Sequence, residues 1–243
     1  MIKAILFDSG KVLNKPVSGH WFIPPNFFKY VDKETFEGIP ISNRKAAFYR
    51  AGNYISKKML IVTEDDEYNC FVEYYRILSE ELPRLKLKDD DAKAIAHDLV
   101  YNYSKYDFYE DAVKLIPELS EKYKLAVVSD AWPSLENVFK KVGLRKYFSS
   151  FVISSIKGVT KPDELMYKTA LSELNVLPEE AAFVDDHIKN CDGARRLGIK
   201  SIILCRNFKM YIYNKLVNTN YEVIRTLNDL ESAINSKVGC TKN

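Results

Sequence analysis

The stretch "AILFDSGKVL" (residues 4–13) runs from apolar residues directly into Asp8 and then into the small pair Ser9-Gly10. A short apolar run without polar alternation predicts a strand buried on both faces, the kind that parallel sheets use. Comparable runs begin the chain as "IKAILF" and return as "KLAVVS" (124–129), "FVIS" (151–154), "AAFV" (181–184), "SIIL" (201–204) and "EVI" (222–224). Helical spacing fills most gaps between the later runs. Leu135, Val138, Phe139 and Val142 fall at i, i+3, i+4 and i+7, with Gly143 as a stop. Tyr167, Ala170, Leu171 and Leu174 keep a helical spacing too, with Pro162 placed as a first helical residue. Strands alternating with helices require right-handed crossovers, so the fold class predicted is α/β with a doubly wound parallel sheet.

Residues 15–105 read differently, being rich in helix formers and aromatics without comparable strand runs. Tyr68, Phe71, Tyr75, Leu78 and Leu82 form one apolar stripe, and Ala92, Ala96, Leu99, Val100 and Tyr103 another. The acids of "LKLKDDDAK" (85–93) suit the N-terminus of the second helix. The expected organisation is an α/β core formed by 1–14 and 106–243, with 15–105 inserted as a helical cap. Such an insertion is either a subdomain packed for stability or a lid over the strand ends.

At 243 residues with 47% hydrophobic content the chain can bury a sizeable core. Its 36 basic and 33 acidic residues are interspersed, so nothing in the charge pattern calls for a nucleic-acid partner. No segment approaches the ~18 apolar residues of a membrane span, and the apolar run before Asp8 is too short for a signal peptide. Cys70, Cys191, Cys205 and Cys240 are scattered without metal-ligand spacing, which suits reduced thiols in the cytoplasm. The tail "SKVGCTKN" (236–243) is expected to fray.

Ligands of open α/β sheets bind beyond the carboxyl ends of the strands. The polar residues there are Asp8, Ser129 with Asp130, and Asp185 with Asp186; "GVTKPD" (158–163) adds Lys161 before a helix. Each alone has an ordinary explanation as a turn former, a cap or a surface cation. Together they converge on one small volume. Asp8, Asp185 and Asp186 would repel one another unless a cation such as Mg²⁺ sat among them, and hard carboxylate oxygens suit that ion. Ser129 offers a hydrogen-bond donor and Lys161 a point charge for a transferring phosphoryl group.

Four signatures in order, "FDSGKVL" (7–13), "VVSD" (127–130), "KPD" (161–163) and "FVDDHIKNCDGARRLG" (183–198), resemble those of the haloacid dehalogenase-like (HAD) hydrolases. The resemblance covers about residues 1–14 and 106–235 and implies a Rossmann-like core with a helical cap. It also implies a magnesium-dependent phosphohydrolase acting on a small phosphorylated metabolite. Asp8 would be the nucleophile that forms an aspartyl-phosphate, later hydrolysed by water. Mg²⁺ would be held by Asp8, the backbone carbonyl of Gly10, Asp185 and, through water, Asp186. Ser129 and Lys161 would bind the phosphoryl oxygens, with Lys161 also restraining the carboxylates. Asn190 and Gly193 match positions that are structural in the family.

One position departs from the pattern. The family's phosphatases usually place a second aspartate two residues after the nucleophile, as an acid and base; here that residue is Gly10. Positioned acid–base groups contribute ~10² to 10⁴ in rate, so a Gly10 enzyme is expected to favour good leaving groups or to borrow an acid from Lys11, His20 or His187. Two alternatives stay open: a metal-independent 2-haloacid dehalogenase, and a weakly catalytic protein that binds a phosphate ligand. Substrate choice falls to the cap side. His20 and Trp21 either touch substrate from an entry loop, or Trp21 with Phe22, Phe27 and Phe28 anchors the cap base, and Trp132, three residues past Ser129, either lines the pocket mouth or plugs a helix start.

Overall fold

A computed structural model describes residues 1–58 and 60–236. Residues 237–243, with Cys240 and most of the tail expected to fray, lie outside the described residues. In chain order the strands are β1 (Ala4–Phe7), β2 (Asn14–Pro16), β3 (Tyr106–Phe108), β4 (Lys124–Ser129), β5 (Ser150–Ile153), β6 (Ala181–Asp185), β7 (Lys200–Leu204) and β8 (Glu222–Ile224). The helices are α1 (Lys33–Glu37), α2 (Ile41–Ile55), α3 (Glu64–Glu81), α4 (Asp89–Tyr101), α5 (Glu110–Ser120), α6 (Ser134–Lys141), α7 (Ser154–Lys157), α8 (Glu164–Leu174), α9 (Ile188–Arg196), α10 (Phe208–Val217) and α11 (Leu230–Asn235).

Six strands form one sheet in the order β5-β4-β1-β6-β7-β8, and every neighbouring pair is parallel. This is the α/β architecture that the apolar runs predict. β1 is central, with Phe7 opposite Val127 on one side and Val184 on the other. All four of its residues are fully buried, as the lack of polar alternation requires. Gly143 ends the α6 segment with φ +74°, a left-handed conformation that glycine adopts without strain. Pro162 is not the first helical residue: α8 begins at Glu164, and Asp163 is its cap, accepting a hydrogen bond from the Leu165 N–H at 2.9 Å. β2 and β3, the two strands of a second small sheet, were not expected, since three-residue strands carry too little pattern to read.

The chain divides into two compact units. One comprises Met1–Lys15, Phe108–Ala131 and the chain from Val142 onward; the other comprises Pro16–Asp107 together with Trp132–Lys141. The second unit is helical. Its α3 starts with a reciprocal capping box, in which the Thr63 hydroxyl accepts from the Asp66 N–H and the Asp66 carboxylate accepts from the Thr63 N–H. Phe71, Tyr74, Tyr75 and Leu78 of α3 are buried in its core with Ile95, Ala96 and Leu99 of α4.

The affiliation of α6 with this unit has a polar cause. The fully buried Glu67 carboxylate accepts from the Ser134 N–H at 2.8 Å and from its hydroxyl at 2.7 Å. Buried Lys105 donates to the Ser134 oxygen at 2.7 Å and to the Leu99 carbonyl at 2.6 Å, with its Nζ 4.0 Å from Glu67. Burial pushes the Glu67 carboxyl up and the Lys105 ammonium down from their usual pKa ranges, each opposed by the charge of the other. Among the described residues no helix is long and apolar enough to cross a membrane.

Candidate active site

Parallel register puts the carboxyl ends of β1, β4 and β6 side by side. The Asp8 N–H continues the β1 ladder by donating to the Val184 carbonyl at 2.9 Å, so Asp8 is fixed as the residue just past the strand. Ser129 ends β4 and Asp185 ends β6. After Asp8 the chain turns tightly: the N–H groups of Leu13 and Asn14 donate to the Ser9 carbonyl at 2.8 and 3.1 Å, and Lys11 takes φ +59°. Gly10 is not among the residues with positive φ, so the backbone there does not itself demand glycine.

Lys161 is the centre of the cluster. Its ammonium donates to Asp8 Oδ1 at 2.6 Å and to Asp185 Oδ2 at 2.8 Å, and Ser129 Oγ donates to the same Asp8 oxygen at 3.1 Å. Two donors on one oxygen fix the rotation of the Asp8 carboxylate. All four side chains are buried. Asp185 is braced further by the His187 N–H at 2.7 Å on Oδ1 and by the Asn190 amide at 3.0 Å on Oδ2. Asp130 turns its carboxylate to the backbone, accepting from the Lys161 N–H at 2.9 Å and tying the lysine's loop to the end of β4. Asp186 pairs with Lys11 at 3.1 Å.

Electrostatics set the chemistry that this arrangement supports. Burial raises the Asp8 carboxyl above its usual range; Lys161 opposes the shift and Asp185 adds to it. For Lys161 burial alone would favour the neutral amine, but Asp8, Asp185 and Asp130 outweigh it and raise the ammonium's pKa, so the lysine stays charged. Asp186 is also raised by burial, against the pull of Lys11. Asp8, Asp185 and Asp186 each offer a carboxylate oxygen within 4.8 Å of the others. With Asp130, four carboxylates face the two ammonium groups of Lys161 and Lys11. This surplus of negative charge on hard oxygen donors fits a divalent cation of the magnesium type.

The structure therefore brings together Asp8, Ser129, Asp130, Lys161, Asp185 and Asp186, with Gly10 on the turn beside Asp8. His20 and Trp132 belong to the helical unit and pack within it. The His20 Nδ1 accepts from the Phe22 N–H at 3.2 Å, its ring lies 4.5 Å from that of Phe48, and burial lowers its pKa. The Trp132 ring meets Phe71 edge-on at 5.3 Å. The supporting contacts of Asp130 and Lys11 were not legible from residue type. An acid after a strand does not announce that it will bind a backbone N–H 31 residues onward.

A strand-end carboxylate cluster of this kind on a parallel α/β sheet defines a class of hydrolases. A family profile described as haloacid dehalogenase-like hydrolase matches residues 2–198, and the chain belongs to that family. It is 28% identical over 137 residues to a phosphoserine phosphatase of Thermus thermophilus, a match covering 55% of each chain. It is 27% identical over 152 residues to a glyceraldehyde 3-phosphate phosphatase of Pyrococcus furiosus, covering 57% of this chain and 63% of that one. The chain thus spans between half and two thirds of the length of these curated relatives. Among solved structures, a HAD phosphatase from Thermococcus onnurineus superposes with a TM-score of 0.66 at 21% identity over 98% of this chain and 100% of that one. A 2-haloacid dehalogenase from Pseudomonas syringae gives 0.64 at 16% identity over 96% and 98%. At these identities the structural likeness speaks for the fold alone.

Proposed function

We propose that this protein is a phosphohydrolase that transfers the phosphoryl group of a small phosphorylated metabolite to Asp8 and then to water. The observation that carries the reading is the buried Lys161 ammonium bridging Asp8 and Asp185, with the Ser129 hydroxyl on the same Asp8 oxygen. A carboxylate gripped in this way is oriented for in-line attack rather than left to rotate. The phosphatase names of the two curated relatives support the same direction.

In the first step an Asp8 oxygen forms a bond to phosphorus as the ester P–O bond breaks, giving an aspartyl-phosphate and an alkoxide or phenoxide. In the second, water attacks phosphorus and returns the Asp8 carboxylate with inorganic phosphate. Lys161 and Ser129 supply positive charge and a hydrogen bond where negative charge builds on the phosphoryl oxygens. Asp8, Asp185, Asp186 and the Gly10 carbonyl would hold Mg²⁺, which when bound neutralises phosphoryl charge. His187 and Asn190 keep Asp185 oriented through their contacts with its two oxygens. Gly10 brings no side chain to protonate the leaving oxygen, so substrates with acidic leaving groups are favoured. A sugar 1-phosphate has such a leaving group; a simple alkyl phosphate does not.

The missing acid also suits a halide, which needs no proton, and this favours a metal-independent dehalogenase as the second reading. The surplus carboxylates Asp185 and Asp186 weigh against it. The test is hydrolysis of an aryl phosphate with Mg²⁺ and with excess chelator, beside release of halide from a 2-haloacid. Chelator-sensitive phosphate release is expected; metal-independent halide release without phosphate release would replace this reading with the second.

A further inference from the structure

We infer that Arg206 is a positioning residue for the nucleophile turn, gripping the Val12 carbonyl so that residues 9–13 keep the Gly10 carbonyl beside Asp8. Its kinetic consequence rests on the phosphohydrolase reading; the grip itself rests on contacts inside the α/β unit, to which every residue involved belongs. The turn after Asp8 is closed on itself. The Leu13 and Asn14 N–H groups donate to the Ser9 carbonyl, the Lys11 N–H donates to the Asn14 carbonyl at 2.6 Å, and the Asn14 amide donates to Ser9 Oγ at 2.6 Å. Closure places Lys11 at φ +59°, a left-handed conformation that a residue with a Cβ disfavours. Those bonds do not fasten the turn to its neighbours. Two outside groups do: the Tyr109 N–H donates to the Leu13 carbonyl at 3.0 Å, and Arg206 Nη2 donates to the Val12 carbonyl at 2.6 Å.

The way Arg206 is held shows what it holds. It follows β7, and its guanidinium lies 3.9 Å over the Tyr109 ring. Nη1 donates at 2.6 Å to Asp111 Oδ2 in the first turn of α5, and the same oxygen accepts from the Leu227 N–H at 2.8 Å. The two side chains are only 17% and 10% exposed, so this is not a solvent-screened surface bridge. An arginine beside a carboxylate commonly pairs with it through two parallel hydrogen bonds. Here Asp111 Oδ1 and Arg206 Nε are instead buried with no partner among the described residues. Unpaired buried polar atoms are costly, and a guanidinium that leaves them so while reaching a backbone carbonyl is shaped by that carbonyl. Asp111 and Tyr109 aim the guanidinium, and the guanidinium aims Val12. The Gly10 carbonyl belongs to the peptide leading into Lys11. A turn released at Val12 lets Lys11 leave the left-handed region, which rotates that carbonyl away from Asp8.

Hydrogen exchange of the full chain without metal, read by mass spectrometry on the peptide containing residues 9–14, tests the grip apart from catalysis. Arg206→Met should speed exchange of these amides about 10-fold or more and leave the β4 and β6 peptides unchanged. Arg145→Met is the control: it removes a comparable arginine, bonded to the Phe148 carbonyl at 2.7 Å and lying over Phe151, and should not alter residues 9–14. On an aryl phosphate, Arg206→Met should lower kcat about 10-fold or more with KM within about 3-fold, and should raise the Mg²⁺ concentration for half-maximal rate. Arg206→Lys keeps a charge and donors and should recover part of each loss. Lowered stability with kcat and the exchange of residues 9–14 both unchanged would make Arg206 an ordinary structural bridge and overturn the inference. Unchanged exchange there overturns it whatever kcat does. A wild-type protein that hydrolyses no phosphate ester would remove the phosphohydrolase reading instead, and the exchange result would still decide for or against the grip.

Discussion

Replacing Gly193 with alanine disturbs the site without touching any of its polar groups. A Cβ at this position of α9 would stand 2.6 Å from Pro162 Cβ, 2.9 Å from the Tyr167 hydroxyl and 3.0 Å from the Pro162 carbonyl oxygen. Carbon atoms pack at about 3.5–4.0 Å, so α9 and the Lys161-Pro162 loop must separate by about 1 Å. The Tyr167 hydroxyl donates to the Asn190 carbonyl at 2.8 Å, which resists the same movement. Both sides of the contact carry site residues: Pro162 follows Lys161, and α9 bears the Asn190 amide that holds Asp185. Overpacking at such a place costs about 1–3 kcal/mol of stability, and a misplacement near 1 Å costs about 10²-fold in rate. Urea denaturation and kcat/KM on an aryl phosphate, measured below the variant's transition, read the two effects. Gly52→Ala is the matched control, because its Cβ meets nothing within 4 Å inside helix α2; it should stabilise by about 0.5–1 kcal/mol. An active, fully stable Gly193→Ala protein would refute the claim that this close approach holds the lysine loop.

Gly10→Asp, at a position whose backbone φ is not left-handed, should raise turnover of alkyl phosphates more than of aryl phosphates by restoring an acid; equal effects on both substrates would mean that protonation is not what limits the slower one. Lys161→Ala removes the ammonium shared by Asp8 and Asp185 and should lower kcat/KM by ~10² or more, a change that a near-normal rate in a folded variant would contradict. For the buried pair of the helical unit, Glu67→Leu or Lys105→Met alone should cost about 3–5 kcal/mol because each strands the other charge, and the double variant should cost less than the two together. Strict additivity in urea denaturation would mean that the two charges do not depend on each other. The raised Glu67 pKa adds a pH test: its ionised form disfavours folding, so this group's penalty is full at neutral pH and shrinks as pH falls through the folded-state pKa towards the ordinary value of a glutamate. In wild type against Glu67→Gln, the stability difference should therefore move in favour of the wild type over that window; a difference flat with pH would argue against the raised pKa.

The main sheet and the cluster are legible in the chain because they depend on short-range pattern. "AILF" and "KLAVVS" have no polar alternation, since parallel strands are covered on both faces, and Asp8, Ser129 and Asp185 stand where those runs stop. Once register aligns the strands, their ends must meet. What stayed hidden depends on distant partners. α6 reads as an ordinary helix after a core strand, yet Ser134 is claimed by Glu67, 67 positions earlier. Asp130 reads as a ligand candidate, but its carboxylate is engaged by the Lys161 backbone. α10 lacks the inward apolar stripe from which helices are recognised, because its apolar side faces outward.

The central claim is that Asp8 carries the phosphoryl group during turnover. Acid quenching during hydrolysis of an aryl phosphate with Mg²⁺, followed by peptide mass spectrometry, tests it directly. The account predicts one phosphoryl group on the peptide containing Asp8, absent from Asp8→Asn and from enzyme incubated with excess chelator. Rapid phosphate release that persists in Asp8→Asn, with no label on that peptide, would contradict it.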